Sequence, residues 1–332
     1  MVVLDPAEPE RLAELLRGRG WVPADASIDR VEPAGDGNMN LTLRVVWHER
    51  SGARRSAILK HARPWVEKFP QLPAPANRIL VEADFYRLVA GFREVAAGLP
   101  ALIAVDEVAR LLWIQDLGNT GDYGDRYGDG VLTQAELDVL LRWLSALHRI
   151  EVDPQRWPAL RNRAMRELNH DHLFEIPLDP DRAPELEPIC PGLEVACAPL
   201  RRDPELRHAL RRLGRCYLRD GSVLVHGDFH PGSWLASDDG PRIIDPEFAF
   251  LGSAEFDLGV LSAHLLFMGT DAPDFDAYDP PPRYEPELAR AFAGMEVIRR
   301  LLGVAQLPLE ADLDTRVAWL DAGRQAVLET TS

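Results

Sequence analysis

The segment that most constrains this chain is residues 223–256, with the sequence VLVHGDFHPGSWLASDDGPRIIDPEFAFLGSAEF. Its two short apolar runs, residues 223–225 and 243–244, are bounded by Gly, Pro and Asp, which is typical of short buried strands. A carboxylate follows each run closely, Asp228 after the first and Asp245 after the second. The sequence therefore predicts two acids at the ends of neighbouring strands.

Such a pair of acids suits phosphoryl transfer. One carboxylate orients the nucleophilic hydroxyl, and the other holds the metal ion that neutralises the phosphates. Protein kinases carry this order as H-R-D-x-x-x-x-N followed by D-F-G, and here it is HGD at 226–228, then Ser233, then DPE at 245–247. The motif alone leaves two other interpretations open: a metal cluster of a hydrolase and a polar turn without chemistry.

HGDFHPGS followed by IDPEFAF resembles the aminoglycoside phosphotransferase and choline kinase superfamily, whose members share the protein-kinase fold but phosphorylate small molecules. DPEFAF instead of the commoner D-W-E, and Ser233 where most members carry Asn, are most similar to methylthioribose kinase. The resemblance implies an α+β, bilobal, protein-kinase-like fold. We expect a small N-terminal nucleotide-binding lobe with a five-stranded antiparallel sheet, residues 1–117. We expect a larger, mainly helical C-terminal lobe for catalysis and substrate binding, residues 118–332.

Charge and hydropathy limit the partners. The chain has 37 basic and 53 acidic residues, a net charge of −16, which argues against nucleic acid or an anionic membrane as partner. No segment reaches the roughly 18 consecutive apolar residues that a membrane helix needs, and the N-terminus lacks a signal-peptide pattern. We therefore expect a cytoplasmic protein with a small-molecule partner. The sequence does not fix the oligomeric state, and a homodimer stays open.

The first candidate nucleotide contact is GDGNMN at residues 35–40. Glycines let backbone amides approach phosphate oxygens, although Asp-Gly and Gly-Asn are also the commonest hairpin chemistry. The loop resembles G-D-G-N-L-N of methylthioribose kinase, in which the second Asn contacts ATP. The resemblance thus implies that Gly37, Asn38 and Asn40 bind the nucleotide.

Lys60 ends a predicted strand at residues 56–60, which matches the kinase pattern of a strand-end lysine that reaches the α- and β-phosphates. Lys60 and Lys68 are the only lysines in this arginine-rich chain, and HARPWV after Lys60 resembles K-Q-A-x-P-Y-V of methylthioribose kinases. Residues 76–90 predict an amphipathic helix. Glu82 on this helix is the candidate partner of Lys60, although it could equally face solvent.

Predicted strands at residues 99–105 and 110–115 complete the sheet with those at 28–33, 39–47 and 56–60. The hinge that follows is expected to pair its backbone groups with the adenine edge, and its residues are Gln115, Asp116 and Leu117. The later chain predicts helices at 133–150, where a Thr-x-x-Glu capping box begins the helix, and at 204–219 and 286–302. Asp257 before LGVLSAHLLF predicts a helix N-cap that anchors the catalytic loop.

The predicted substrate contacts lie in two places. His230 follows Asp228 and could face substrate or solvent, whereas His226 is interpreted as a scaffold residue. Arg299 and Arg300 stand in the late helix, where adjacent arginines are usually solvated. The resemblance implies a different role, because methylthioribose kinases have an R-R pair there that reaches the sugar hydroxyls and the developing phosphate. An arginine fork can stabilise the equatorial oxygens of the transition state.

These features predict an ATP-dependent small-molecule kinase that transfers the γ-phosphate to a hydroxyl of methylthioribose or a similar sugar. Asp228 is the predicted catalytic residue, and Asp245 and Glu247 are predicted to hold Mg²⁺ and, through it, ATP. Ser233 is the predicted third metal ligand, but serine is a weaker and shorter ligand than Asn, which leaves a second metal open. Two alternatives remain: a kinase of another small alcohol, of aminoglycoside, choline or homoserine type, and a nucleotide-binding pseudokinase.

Overall fold

The computed structural model describes residues 4, 8–35, 39–118, 121–127, 132–270 and 273–329. The chain forms two units, one made of residues 1–121 with 242–247 and the other of residues 122–241 with 248–332. No helix of the described ranges has both the length and the apolar composition that crossing a membrane would require.

The strands, in chain order, are β1 (Ser27–Pro33), β2 (Leu41–His48), β3 (Arg54–His61), β4 (Trp65–Val66), β5 (Phe69–Pro73), β6 (Leu102–Asp106), β7 (Leu111–Gln115), β8 (Val223–Val225), β9 (Trp234–Leu235), β10 (Arg242–Ile243) and β11 (Phe250–Gly252). The α-helices are α1 (Pro9–Gly18), α2 (Arg78–Val89), α3 (Arg93–Ala96), α4 (Gln134–His148), α5 (Arg163–His170), α6 (Leu193–Arg202), α7 (Pro204–Tyr217), α8 (Ala254–Phe267), α9 (Pro286–Leu302) and α10 (Leu313–Glu329). Short 3₁₀ turns occur at Tyr123–Arg126, Pro158–Arg161, Ile176–Leu178, Pro231–Ser233 and Pro246–Phe248, and a π-helix at Asp171–Glu175.

A five-stranded antiparallel sheet organises the first unit, with strand order β1-β2-β3-β7-β6. The predicted sheet is confirmed. Cross-strand pairing puts Leu59 of β3 opposite Leu43 of β2 and Trp113 of β7, and all three side chains are buried. The Trp113 ring lies 5.9 Å from the ring centroids of both Trp21 and Trp47. Because strand side chains alternate between faces, Lys60 lies on the opposite face from Leu59.

The first unit also includes a late segment of the chain, residues 242–247. The backbone N–H of Ile243 donates to the Gly98 carbonyl at 2.8 Å, and Arg242 Nη2 donates to the Leu99 carbonyl at 3.3 Å. The predicted division after residue 117 did not include this return of the chain. The return brings the DPE motif to the unit that contains Lys60.

The second unit is mainly helical, and α9 packs against both α8 and α10. The contact with α10 depends on Gly294, because a Cβ atom there would lie 2.4 Å from the Gly323 carbonyl oxygen. The capping box of α4 is present as predicted: the Glu136 N–H donates to Thr133 Oγ, and the Thr133 N–H donates to the Glu136 carboxylate. Helix α9 has the predicted bounds, and α7 ends at Tyr217, two residues earlier than predicted.

The prediction that Asp257 is a helix N-cap is wrong. Helix α8 begins at Ala254 after the N-cap residue Ser253, so Asp257 lies within the first turn. Its carboxylate instead accepts hydrogen bonds from the backbone N–H groups of His226 and Gly227. The expected anchoring of the catalytic loop therefore comes from a helical side chain and not from a cap.

Replacing Trp113 tests the core of the first unit. We expect W113A to lower the free energy of unfolding by about 3–5 kcal/mol, because the cavity would separate the rings of Trp21 and Trp47. W113F is the control and should lose markedly less, since it keeps an aromatic ring at the centre. Urea denaturation followed by circular dichroism measures both variants. A W113A protein as stable as W113F would contradict the packing described here.

Candidate active site

Lys60 forms a buried ion pair in the first unit. Its Nζ lies 2.6 and 2.7 Å from the two carboxylate oxygens of Glu82 on α2 and also contacts Asp245 Oδ1. Burial alone would lower the pKa of Lys60, but Asp245 and Glu82 overcome this effect and raise the pKa well above its ordinary value. Burial raises the pKa of Glu82 to about 7, against the opposing attraction of Lys60. Lys60 is therefore a fixed ammonium group, and the partner named from the sequence is in contact with it.

Asp245 has a backbone conformation that is uncommon for residues other than glycine. Its φ angle is +61°, in the left-handed region. Residues held in such conformations are concentrated at functional sites, where the surrounding structure compensates for the strain. The Asp245 side chain is 39% exposed, although it contacts Lys60. Its carboxylate is thus both fixed by the backbone and accessible to a ligand.

Asn40 and Glu247 contact each other in the same unit. Asn40 Nδ2 donates to Glu247 Oε2 at 2.7 Å, and the side-chain oxygen of Asn40, Oδ1, accepts from Arg78 Nε at 2.8 Å. Burial raises the pKa of Glu247 to about 8. Gly37 and Asn38, the other predicted loop contacts, lie outside the described residues. The predicted contact of Asn40 with ATP stays a prediction.

Sequence analysis missed Arg78, which is fully buried at the start of α2. Besides Asn40, its guanidinium donates to backbone carbonyl groups of three segments, those of Met39, Arg63 and Pro75. Arg78 thus connects the loop before β2 to the segment after β3. Nothing in the local sequence distinguishes it from the other arginines, because its partners are distant along the chain.

The side chains of the predicted hinge residues Gln115 and Asp116 form hydrogen bonds within the first unit. Gln115 Oε1 accepts from the Ala101 N–H at 3.1 Å, and the Gln115 N–H donates to the Ala101 carbonyl. Asp116 accepts from Arg44 through both carboxylate oxygens, at 2.9 and 3.1 Å. Leu117 follows and is half-buried. The side chains of Gln115 and Asp116 fix the hinge backbone, and its pairing with adenine stays a prediction.

The first unit offers oxygen ligands of the kind that Mg²⁺ prefers. Within the described ranges, no group of three or more His, Cys, Asp or Glu side chains is placed to hold a metal ion. Mg²⁺ at kinase sites is bound by one or two carboxylates, and substrate phosphates supply further oxygens. The exposed carboxylate of Asp245 fits this role better than Glu247, which is buried and accepts from Asn40.

Asp228 lies on a loop of the second unit that is fixed through its backbone. The Asp257 carboxylate accepts from the N–H groups of His226 at 2.7 Å and Gly227 at 2.9 Å. Gly227 has a φ of +83°, and a Cβ atom there would lie 2.2 Å from the Phe248 carbonyl oxygen, so the loop requires glycine. The loop therefore presents Asp228 in one defined position.

Ser233 helps to close the same loop. Its hydroxyl donates to the backbone carbonyl of Asp228 at 2.9 Å, and its backbone N–H donates to the His230 carbonyl at 2.7 Å. The side chain is buried. These contacts give Ser233 a structural function within the loop, and its role as a metal ligand stays a prediction.

The Asp228 carboxylate has cationic or hydrogen-bonding neighbours on both oxygens. His230 Nε2 lies 3.4 Å from Oδ2, and Arg300 Nη2 lies 3.8 Å from Oδ1. His230 Nδ1 accepts from the Gly232 N–H, which assigns the hydrogen of the neutral ring to Nε2, facing Asp228. Burial alone would raise the pKa of Asp228, but His230, Arg300 and Arg299 hold the pKa well below its usual range. Asp228 is therefore ionised and can accept a hydrogen bond from a hydroxyl group.

Both predicted arginines are held by one carboxylate that sequence analysis did not identify. Arg299 and Arg300 donate to Glu296, which precedes them on α9 and is fully buried. The second unit thus combines an ionised carboxylate with two oriented guanidinium groups. The first unit combines a fixed ammonium group with an accessible carboxylate. These are the groups that kinase-type phosphoryl transfer uses.

The chain belongs to the phosphotransferase enzyme family, whose sequence profile matches residues 42–301. It is accordingly a small-molecule kinase, and a kinase of this family uses ATP. The predicted superfamily and enzyme class are confirmed.

Several relatives are methylthioribose kinases. The chain is 27% identical to that of Geobacillus thermodenitrificans over 329 aligned residues, covering 84% of this chain and 79% of the relative. It is 28% identical to that of Klebsiella pneumoniae over 244 residues, covering 71% of this chain and 59% of the relative. The second match thus spans less than two thirds of the relative's length.

A solved structure supports the fold. An ethanolamine kinase of Plasmodium vivax superimposes with a TM-score of 0.52 at 9% sequence identity, covering 100% of this chain and 90% of that chain. At this identity the likeness concerns the fold alone. It confirms the predicted α+β, protein-kinase-like fold.

The ion pair of Lys60 generates a prediction for nucleotide use. We expect E82Q to lower kcat/KM for ATP by about 100-fold, because the ammonium group loses the charged partner that fixes its position. E107Q removes an exposed carboxylate of the same unit, which pairs with Arg87, and should match wild type. Steady-state kinetics with varied ATP, on variants shown to be folded by thermal unfolding, provide the measurement. Wild-type ATP kinetics in E82Q would contradict the assigned role.

Proposed function

We propose that this kinase transfers the γ-phosphate of ATP to a hydroxyl group of methylthioribose or a closely similar sugar. The observation that carries the proposal is the placement of Arg300 beside Asp228, with Nη2 3.8 Å from Oδ1. An adjacent arginine pair in this helix is the feature by which the sequence resembles methylthioribose kinase. The methylthioribose kinases among its relatives support the same acceptor.

The charges around Asp228 discriminate between acceptors. Guanidinium N–H groups donate hydrogen bonds to hydroxyl and phosphoryl oxygens, and they repel ammonium groups. Arg299 and Arg300 both lie close enough to Asp228 to lower its pKa. An acceptor of choline or aminoglycoside type would have to bring its positive charge to this position. The site therefore favours an acceptor that presents hydroxyl groups without a cation.

In the proposed reaction, Asp228 accepts a hydrogen bond from the acceptor hydroxyl and orients its oxygen toward the γ-phosphorus. The new O–P bond forms as the bond between the γ-phosphorus and the β,γ-bridging oxygen breaks, and ADP leaves. The hydroxyl proton passes to Asp228 late in this step and then to solvent. Because the pKa of Asp228 is low, its main contribution is orientation, which suits a loose transition state.

The nucleotide side of the proposal rests on the first unit. Lys60 would contact the α- and β-phosphates, and Asp245, with Glu247 beside it in sequence, would hold Mg²⁺. When bound, Mg²⁺ neutralises charge on the β- and γ-phosphate oxygens. We place this activity in the cytoplasm, where ATP is available. The pseudokinase alternative is disfavoured, because Lys60, Asp228 and Asp245 are all present and each is held by the contacts described above.

ATP consumption with a panel of acceptors tests the proposal. We expect kcat/KM for methylthioribose to exceed the values for choline and kanamycin by at least about 100-fold, because only the sugar satisfies the arginine N–H groups without bringing a positive charge. Ribose should be intermediate, and homoserine tests whether a zwitterion is accepted. A reaction without acceptor is the blank.

Two outcomes would contradict the proposal. Preferred turnover of choline or kanamycin would keep the kinase activity but overturn the sugar acceptor. ATP binding without turnover of any compound in the panel would favour the pseudokinase.

A further inference from the structure

Glu296 is the centre of a buried network in the second unit. Its side chain has no exposed surface, and both oxygens accept from Arg299 Nη1 at 2.9 Å. Its Oε1 also accepts from Arg300 Nε at 2.6 Å. The two arginines follow Glu296 by three and four positions on α9, the spacings at which helical side chains meet. One carboxylate therefore orients both guanidinium groups.

Glu296 is itself held in place from α8. Burial lowers the pKa of His264 to about 3, so this ring is neutral. His264 Nε2 lies 3.2 Å from Glu296 Oε1, and because an ionised carboxylate only accepts, Nε2 carries the hydrogen. The other ring nitrogen, Nδ1, then accepts from the hydroxyl of Tyr127. Glu296 cannot change its rotamer without breaking this chain of hydrogen bonds.

The charge on Glu296 is secured by the same contacts. Burial alone would raise its pKa, but Arg299 and Arg300 overcome that effect and hold the pKa well below the ordinary range. A buried carboxylate with two charged donors and one neutral donor is fully satisfied. The network is therefore a rigid support for the arginine pair.

Arg300 retains one N–H-bearing nitrogen that the network does not use. Its Nη2 is buried and has no hydrogen-bond partner in the part of the chain that the structure describes. The Asp228 Oδ1 atom lies 3.8 Å from it, beyond hydrogen-bond distance. A buried donor without a partner costs about 1–3 kcal/mol. An oxygen atom of the acceptor, placed between Arg300 and Asp228, would remove this cost.

We propose that Glu296 is the positioning residue of the acceptor site, and that it holds Arg300 beside Asp228 so that one hydroxyl group of an uncharged acceptor contacts both. This inference rests on the proposed function. The carboxylates of Glu296 and Asp228 balance the guanidinium groups of Arg299 and Arg300. With these four charges balanced, the site suits a neutral polyol better than an ammonium compound or a phosphorylated one.

A double-mutant cycle on the acceptor reaction tests the proposal. E296Q keeps the side-chain volume and removes the charge, and we expect kcat/KM for the acceptor to fall by about 100-fold, with KM for ATP unchanged. R300Q should cause a similar loss. The E296Q/R300Q protein should lose much less than the product of the two single effects, because Glu296 acts through Arg300. E287Q, in the exposed first turn of the same helix, is the matched control and should behave as wild type.

The cycle has outcomes that would overturn the proposal. Additive losses in the double variant, or a parallel rise of KM for ATP in E296Q, would indicate that Glu296 only maintains the general structure. A wild-type acceptor reaction in E296Q would show that the charge of Glu296 is not needed to position Arg300. If E296Q does not fold, E296D replaces it, because the aspartate keeps the charge on a side chain that is one methylene group shorter. We expect E296D to lower kcat/KM for the acceptor by about 10-fold, with KM for ATP unchanged.

A second readout does not depend on the acceptor. In wild type, the Arg300 Nε–H should give a slowly exchanging NMR signal, identified by its loss in R300Q, because it is buried and bonded to Glu296. The signal should exchange rapidly in E296Q, and slow exchange there would overturn the positioning role. If the panel shows that the acceptor is not a sugar, the proposed function fails on that result, while the role of Glu296 is decided by this signal.

Discussion

A buried carboxylate can keep a neighbouring cation charged and in a fixed position away from water, and the functional groups of both units depend on such pairs. Lys60 is held by Glu82, and Arg300 is held by Glu296. Both carboxylates are fully buried, so neither pair can be loosened by water. Phosphoryl transfer relies on charges that are already oriented before the reaction begins. The buried carboxylates supply that orientation, although neither is expected to touch a substrate.

The carboxylate of Asp228, the predicted catalytic residue, is positioned in a different way, through the backbone of its loop. Asp257 accepts two consecutive N–H groups at the base of the loop, and Ser233 closes the loop from the other side of Asp228. Gly227, which directly precedes Asp228, permits the left-handed turn of the loop. The Asp228 side chain then has His230 beside one carboxylate oxygen and Arg300 beside the other. The loop is rigid where orientation matters, and the carboxylate remains 23% exposed, so that an acceptor can reach it.

Much of this arrangement could be predicted from local sequence. Strand alternation and turn residues gave the five-stranded sheet, and the Thr-x-x-Glu pattern gave the start of α4. Motif spacing predicted roles for Lys60, Asp228 and Asp245, because phosphoryl transfer uses those residue types in that order, and these roles stay predictions. Of the residues that support them, Glu82 and Asp257 were named from the sequence, whereas Arg78 and Glu296 were not. Glu296 lies on a largely buried helix, where periodicity predicts only a core.

Other features depended on contacts between distant parts of the chain. Residues 242–247 return to the first unit through hydrogen bonds to Gly98 and Leu99, which no local pattern encodes. Arg78 likewise has its partners on separate segments, at Met39, Arg63 and Pro75. Asp257 was identified as an anchor, but its helix begins four residues earlier than the pattern suggested, with Ser253 as the N-cap, and the cap was therefore misassigned.

The most direct test of the central claim is a single-turnover measurement on D228N, together with its affinity for ATP. We expect the chemical step to slow by about 10²–10⁴-fold, while the dissociation constant for ATP stays at its wild-type value, because the proposed contact of Asp228 is with the acceptor hydroxyl and not with the nucleotide. The substitution preserves the side-chain volume, and a thermal unfolding curve is needed beside the kinetics to check that the variant is folded. Near-normal turnover in D228N, or a loss that appears only in ATP binding, would contradict the account.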